Sequence, residues 1–153
     1  MLPAAESLNR RIAEQIPVTA HMGLRITAWD GEWLRMDAPL TANRNDKGTA
    51  FAGSLVSLAT LAGWALITLQ VEARQGAATV AVYHSEIDYR RPVKGDFQAL
   101  CRFPEADQAE DFWRQLTVSG KGRLSMTVRI EQEGEERARL CAAYAVTLIG
   151  TSG

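Results

Sequence analysis

The feature that most constrains this chain is a long uncharged segment in its first half. No Asp, Glu, Lys or Arg occurs between Lys47 and Glu72. A helix of about 20 apolar residues can cross a membrane, whereas a helix that is apolar on every face can also form the centre of a core. The segment is rich in Ala, Gly, Ser and Thr, which favours the core. We therefore expect a buried central helix and no membrane association.

The segments around this helix have the patterns of strands and short helices. Residues 24–30 and 32–38 alternate apolar and polar side chains around Asp30-Gly31, which is typical of a β-hairpin. The central helix is the one element large enough to cover the apolar face of these strands. We predict an α+β fold, with a curled antiparallel sheet wrapped around one long central helix, as a single domain over residues 1–153. The other predicted strands are 78–91, 97–103, 123–132 and 137–150, and the short helices are 6–15 and 104–117.

Charge and cysteine content narrow the classes of function. The formal net charge of −1 provides no basic surface for nucleic acid, so we expect no nucleic-acid partner. Charged residues near the N-terminus replace the apolar core of a signal peptide, which favours a cytoplasmic, reducing location. Cys101 and Cys141 match no metal-ligand spacing, so we expect both to be buried small side chains and predict no metal site.

Two motifs resemble those of acyl thioesterases. Asn45 to Gly53 (NDKGTAFAG), followed by LVSLA, resembles the entrance to the central helix in acyl-CoA thioesterases of the PaaI and 4HBT type. Residues 87–93 (IDYRRPV), followed by Gly95-Asp96, resemble the strand end of the same superfamily. Together with LAGW, these motifs most closely resemble the thioesterase domain at the C-terminus of YiiD-type proteins. The resemblance covers nearly all of residues 16–149 and implies a hotdog fold.

The resemblance also implies an assembly and a type of substrate. In this superfamily the strand after the long helix pairs with its copy in a homodimer, and two dimers can form a tetramer. Acyl-thioester sites lie at that interface and contain residues of both chains. The implied substrate is a small-molecule acyl thioester, carried either by coenzyme A or by acyl carrier protein. Coenzyme A is then part of the substrate, and no separate cofactor is expected.

The start of the central helix is the predicted site for the thioester carbonyl. The first N–H groups of a helix lack partners within the helix and favour developing negative charge. We predict that the N–H groups around Phe51 to Gly53 bind the carbonyl oxygen, with Gly53 allowing close approach. The sequence departs from the family here, since Phe51 replaces the usual His, Ala52 replaces the first Gly, and Thr60 replaces the usual carboxylate. A threonine hydroxyl can orient a water molecule but is a poor proton acceptor at neutral pH.

The missing carboxylate leaves several candidates for the remaining catalytic roles. We predict that Asn45 and Thr60 place the water molecule and that Asp46 or His84 accepts its proton. Simple alternation places His84 on the same strand face as Val82. The alternatives stay open, because Asn45 also suits a turn, Asp46 suits the solvated start of a helix, and His84 suits an interface.

Further residues are predicted to contact the substrate. Arg and Lys side chains at the strand end suit the phosphates of coenzyme A or the acidic surface of a carrier protein, although a solvated charged run is the alternative. His21 is expected to line the acyl end or simply to pack. The predicted substrate-binding residues are Gly48, Phe51, Ala52, Ser57, Tyr89, Arg90, Arg91 and Lys94.

The sequence therefore predicts an acyl-thioester hydrolase with its active site at a dimer interface. A non-catalytic acyl-thioester binding or dimerisation module is the alternative, since such a module would tolerate the loss of the helix carboxylate. A hotdog hydratase is disfavoured because it would need a His and a carboxylate that this helix lacks.

Overall fold

The computed structural model describes residues 1–150 and contains one antiparallel six-stranded sheet. The strand order is β1-β2-β4-β5-β6-β3, and every neighbouring pair is antiparallel. This arrangement confirms the predicted α+β architecture of a curled sheet with one long central helix. The elements are α1 Pro3–Gln15, α2 Val18–Met22, β1 Arg25–Trp29, β2 Trp33–Ala38, α3 Ala52–Arg74, β3 Ala78–Tyr89, β4 Phe97–Arg102, α4 Ala106–Ser119, β5 Lys121–Gln132 and β6 Glu135–Leu148.

Burial explains why the central segment carries no charge. Helix α3 packs against strands β2 to β6, and its buried side chains lie on all sides of the helix. By length and composition alone this helix could cross a membrane, yet 67% of its most apolar 18-residue window is buried inside the fold. An ionised side chain in this position would lose its hydration without gaining a partner, which proteins avoid.

One glycine of α3 is fixed by a tyrosine of the sheet. A Cβ atom on Gly63 would lie 2.4 Å from the hydroxyl oxygen of Tyr144. That hydroxyl donates a hydrogen bond to the Thr60 carbonyl at 2.7 Å, and the Tyr144 side chain is fully buried. Burial raises the pKa of the Tyr144 phenol, so it stays protonated and remains a donor near neutral pH. Gly63 therefore lets α3 approach β6 closely.

The two edges of the sheet differ in what covers them. Helix α1 covers the edge at β1, where the Asn9 side chain both donates to the Ile26 carbonyl and accepts from the Ile26 N–H, each at 2.8 Å. An ion pair also joins α1 to α3, between Arg11 and Glu72 at 3.0 Å. The other edge is β3, which has 12 residues and hydrogen-bonds to β6 on one side only within residues 1–150. An uncovered edge of this length is suited to pairing with another strand.

A β-bulge in β3 changes which side chains face the helix. Val82 lies opposite Tyr144, and His84 lies opposite the next residue of β6, Ala143, so Tyr83 is an extra residue. Opposed residues of a sheet point to the same face, which places Val82 on the α3 side and His84 on the outer face. The prediction that Val82 and His84 share a face is therefore wrong, because simple alternation cannot count the extra residue.

Three smaller predictions are also corrected. The short helix α2 was not predicted, because the proline before it indicated only the end of α1. His21 lies in this helix with an exposed side chain and does not line the cavity described below. Cys101 is buried as expected, and burial raises the pKa of its thiol to about 12, whereas Cys141 is exposed on the outer face of β6.

Candidate active site

A cavity of about 580 Å³ lies between α3, strand β3 and the segment that contains α2. The volume is within the range of about 300–1,000 Å³ that is usual for small-molecule sites. Its walls are almost entirely apolar, and no carboxylate, imidazole, amine or guanidinium group belongs to its lining within residues 1–150. The lining residues are Ile16, Val18, Thr19, Met22, Leu24, Val56, Ser57, Thr60, Leu61, Trp64, Val80, Ala81, Val82 and Tyr144.

Most polar groups of the lining are already hydrogen-bonded to the protein. The Thr19 hydroxyl donates to a backbone carbonyl just before α2, and the Ser57 hydroxyl donates to a backbone carbonyl one turn earlier in α3, each at 2.7 Å. The indole N–H of Trp64 donates to a carbonyl of β3 at 2.9 Å, and the Tyr144 hydroxyl donates to α3. The hydroxyl of Thr60 has no such partner in the part of the chain that the structure describes. It is therefore the side-chain hydroxyl of the lining left free for a ligand or water.

The start of α3 also has unused hydrogen-bond donors. The Phe51 N–H donates to the Asn43 carbonyl at 2.7 Å, and the Ser54 N–H donates to the Phe51 carbonyl at 2.9 Å. The N–H groups of Ala52 and Gly53 have no acceptor among residues 1–150, as is usual for the first turn of a helix. The Phe51 ring packs on Gly53, because a Cβ atom there would lie 2.4 Å from the ring. The structure thus has free donors at the predicted carbonyl site. Position 53 must be a glycine because the Phe51 ring occupies the space of a side chain there.

A second asparagine, which the sequence motifs did not indicate, connects this helix start to the cavity wall. Asn43 is only 2% exposed, and its amide donates to the carbonyls of Met22 at 2.8 Å and Pro39 at 2.7 Å. Its side-chain oxygen is buried without a partner in the protein. Since the Asn43 carbonyl also accepts from Phe51, one residue holds α2, the preceding loop and the start of α3 together. The sequence contains one sign of this role, which is that Asn43 lies in the same loop as Asn45, two residues before it.

Asn45 itself is used within its own loop. Its side-chain oxygen accepts from the N–H groups of Lys47 at 2.8 Å and Thr49 at 3.1 Å, and its amide donates to the Thr49 hydroxyl at 2.9 Å. Gly48 completes this turn with a positive φ of 78°. These contacts match the turn interpretation of Asn45, and neither Asn45 nor Gly48 lines the cavity.

Asp46 lies exposed on the same loop. Its carboxylate pairs with the Lys47 amine at 3.0 Å, and the side chain is 83% exposed. The hydrogen bond from Lys47 and its positive charge lower the pKa of the Asp46 carboxyl. The group is therefore ionised at neutral pH, although it does not reach the cavity of its own chain.

His84 lies away from the cavity of its own chain. Its imidazole is 66% exposed on the outer face of β3, with Nε2 at 3.7 Å from the Glu86 carboxylate. The bulge at Tyr83 separates this histidine from Val82, which does line the cavity. The structure consequently does not bring His84 and Thr60 together within one chain.

The basic residues predicted to bind phosphate differ in their ion pairs. Arg90 pairs with Glu136, and Arg91 pairs with Glu135, so both guanidinium groups are already neutralised by the β5–β6 hairpin. The Lys94 amine has no ion-pair partner among residues 1–150. Tyr89 lies at the end of β3, where its hydroxyl is 3.4 Å from the Ala52 carbonyl. Among the basic residues predicted here, Lys94 is the one left free for an anion.

A curled six-stranded sheet around a buried helix, with a cavity beside that helix, defines the hotdog class of proteins. The chain belongs to the family described as "Putative thioesterase (yiiD_Cterm)", whose model matches residues 5–148. This match confirms the resemblance inferred from the two motifs.

Solved structures agree with the family assignment. A protein of unknown function from Chlorobaculum tepidum TLS is 29% identical, with a TM-score of 0.88 over 95% of both chains. A Pseudomonas aeruginosa protein described as a "probable thioesterase" is 27% identical, with a TM-score of 0.81 over 95% of this chain and 96% of its own. A "putative thioesterase" from Shewanella oneidensis is 24% identical and shares the fold with a TM-score of 0.85, over 95% of this chain and 97% of its own.

Proposed function

We propose that this protein hydrolyses acyl thioesters. The observation that carries the proposal is the apolar cavity with a single free hydroxyl, Thr60, on the helix whose first N–H groups are also free. An acyl chain suits the cavity, and a thioester carbonyl suits the helix start, because backbone donors there stabilise a developing oxyanion. Membership of a thioesterase family supports the same reaction.

The reaction needs only water as a second reactant. The water oxygen adds to the thioester carbonyl carbon while the N–H groups of Ala52 and Gly53 from a second copy of the chain bind the resulting oxyanion, because Gly53 lies about 10 Å along α3 from the Thr60 of its own chain. The Thr60 hydroxyl orients the water, and a carboxylate accepts the proton that the water loses. The carbon–sulfur bond then breaks, the thiolate leaves and takes up a proton, and a carboxylic acid is released.

A second copy of the chain would complete the site. Within residues 1–150 no proton acceptor lines the cavity, and the long edge of β3 beside it has no strand partner. Val82 and Tyr89 on this strand and Phe51 beside the helix start are exposed, at 42%, 50% and 55%. Pairing of β3 with its copy would cover this apolar surface and bring the entrance loop of one chain towards the cavity of the other.

Asp46 is the better candidate for the proton acceptor. Its loop leads directly into α3, and its carboxylate is 83% exposed, so a neighbouring chain can approach it. His84 lies on the outer face of the sheet, away from the side where α3 and the cavity lie. We therefore assign the base to Asp46 of a second copy.

A non-catalytic acyl-thioester binding or dimerisation module is the second candidate. The observation in its favour is that no proton acceptor lines the cavity among the residues that the structure describes in one chain. Such a module would keep the acyl cavity and the free helix donors but would release no thiol.

Thiol release from a panel of acyl-CoAs tests the proposal. We expect Asp46→Asn to lower kcat by about 10²- to 10⁴-fold, as for removal of a general base, with little change in ligand affinity. Thr60→Val should lower kcat by about tenfold or more, because it removes the hydrogen bond that orients the water.

His84→Gln is the matched control, since it changes a titratable residue on the outer face and should leave turnover near the wild-type value. Absence of thiol release with every substrate, together with retained binding of acyl-CoA, would establish the binding module instead. Loss of turnover in His84→Gln but not in Asp46→Asn would move the base to β3.

A further inference from the structure

We propose that the cavity holds the apolar tail of a medium- or long-chain acyl group, and that Met22, Val56 and Trp64 set the length it accepts. The link to a thioester rests on the proposed function, whereas the preference for an apolar chain rests on the cavity itself. The substrate class is thus a fatty acyl thioester and not an acetyl, hydroxyacyl or dicarboxylic acyl thioester.

The polarity of the cavity selects against hydroxylated and charged acyl groups. The hydroxyls of Thr19 and Ser57 and the indole N–H of Trp64 are all committed to backbone carbonyls. A hydroxyl or carboxylate deep in the cavity would lose its hydration and find no partner, which is costly. Thr60 is the exception, and it lies on α3 between Val56 and Trp64, one helical turn from each.

The size of the cavity selects against very short acyl groups. A volume of about 580 Å³ is comparable to the sites that bury ligands of drug size, and an acetyl group would fill little of it. Each methylene buried against apolar walls contributes about fourfold in affinity. Affinity should therefore rise with chain length until the cavity is full.

Hydrogen bonds hold two residues of the cavity wall in place, and these residues limit the length of the acyl chain. Trp64 is held to the Val80 carbonyl at 2.9 Å, and Met22 is held through its own carbonyl by the buried Asn43. Val18 and Val82 belong to the lining but are 60% and 42% exposed, which places the mouth between α2 and β3. The chain would run inward from this mouth, past Val56, Met22 and Trp64.

Calorimetric titration with S-alkyl pantetheine thioethers, from ethyl to hexadecyl, tests the inference. Pantetheine is the part shared by coenzyme A and acyl carrier protein, and a thioether has no carbonyl to hydrolyse. We expect the dissociation constant to fall by about fourfold per methylene and then to level off. Since binding is measured without turnover, this result stands even if the protein releases no thiol. A dissociation constant that does not depend on chain length would overturn the inference.

Matched variants locate the chain. Val56→Phe adds volume inside the cavity and should move the levelling-off point to shorter chains, whereas Val118→Phe makes the same change at a position on α4 that is 81% exposed and should have no effect. Met22→Ala should move the point to longer chains, which keeps the test decisive if Val56→Phe does not fold. Folded Val56→Phe and Met22→Ala proteins with the wild-type profile would show that the chain binds elsewhere.

Discussion

Two asparagines separated by one residue have different tasks in this protein. Asn43 is buried and bonds to the carbonyls of Met22, in a remote segment, and of Pro39 in its own loop, whereas Asn45 is half-buried and bonds within its own turn. The sequence shows both as polar residues of one loop, and the resemblance drew attention to Asn45. The burial of Asn43 depends on where Met22 and Pro39 lie in space, so local pattern could not reveal it.

Replacing Asn43 should therefore affect stability more than replacing Asn45. Asn43→Ala leaves the partly buried carbonyls of Met22 and Pro39 without this donor and removes a fully buried amide, so we expect the free energy of unfolding to fall by about 2–4 kcal/mol. Asn45→Ala removes bonds within a solvated turn and should cost about 1 kcal/mol or less. Urea denaturation of both variants measures the difference, and equal losses would show that the buried contacts of Asn43 are not the stronger ones.

At the scale of elements, periodicity predicted the sheet and the central helix because each follows from a repeated local pattern. The strands have period two, and the uncharged helix has no polar side. Local pattern failed in β3, where the bulge at Tyr83 depends on pairing with β6 and reverses the face of His84. His84 left the predicted site for this reason alone, since a one-residue slip moves a side chain to the other face.

The charged strand end has ion-pair partners that the local sequence did not indicate. Arg90 and Arg91 follow Tyr89 in a basic run, which suggested contacts with phosphate. In the structure the β5–β6 hairpin brings Glu135 and Glu136 against them. These acids are more than 40 residues away in sequence, at separations of 44 and 46, so local sequence offered no sign of the pairing.

The docking of α1 on β1 can be tested with one substitution. Asn9 satisfies both backbone groups of Ile26 at the edge of the sheet, much as another strand would. Asn9→Ala should lower the free energy of unfolding by about 1–3 kcal/mol, because that edge loses both partners. Arg10→Ala, at the exposed neighbouring position of α1, is the control and should change it by less than about 0.5 kcal/mol. Guanidinium denaturation gives both values, and similar results would mean that water replaces Asn9 without cost.

At the scale of the whole molecule, the two sheet edges favour one mode of assembly. The edge at β1 is covered by α1 through Asn9, while the 12-residue edge at β3 has no strand partner among residues 1–150 and lies beside an apolar cavity. Open edges of this kind are usually blocked by charge or covered in monomers. A twofold pairing of β3 with its copy is therefore the assembly that we expect, and it would place two composite sites on one dimer.

Mixing two impaired variants tests whether the site is composite. In a dimer of Thr60→Val and Asp46→Asn chains, one site combines both substitutions, and the other combines the native Thr60 and Asp46 from opposite chains. If these residues act across the interface, random mixing should restore about one quarter of wild-type thiol release, since half of the dimers are mixed and half of their sites are intact. If both residues act within one chain, every site keeps one defect and mixing restores nothing. Refolding the two variants together, with each refolded alone as the control, measures the recovery. Native mass spectrometry measures the amount of mixed dimer. Thiol release that rises in proportion to this amount would establish the shared site. A confirmed mixed dimer without restored thiol release would show that Asp46 and Thr60 do not act across the interface.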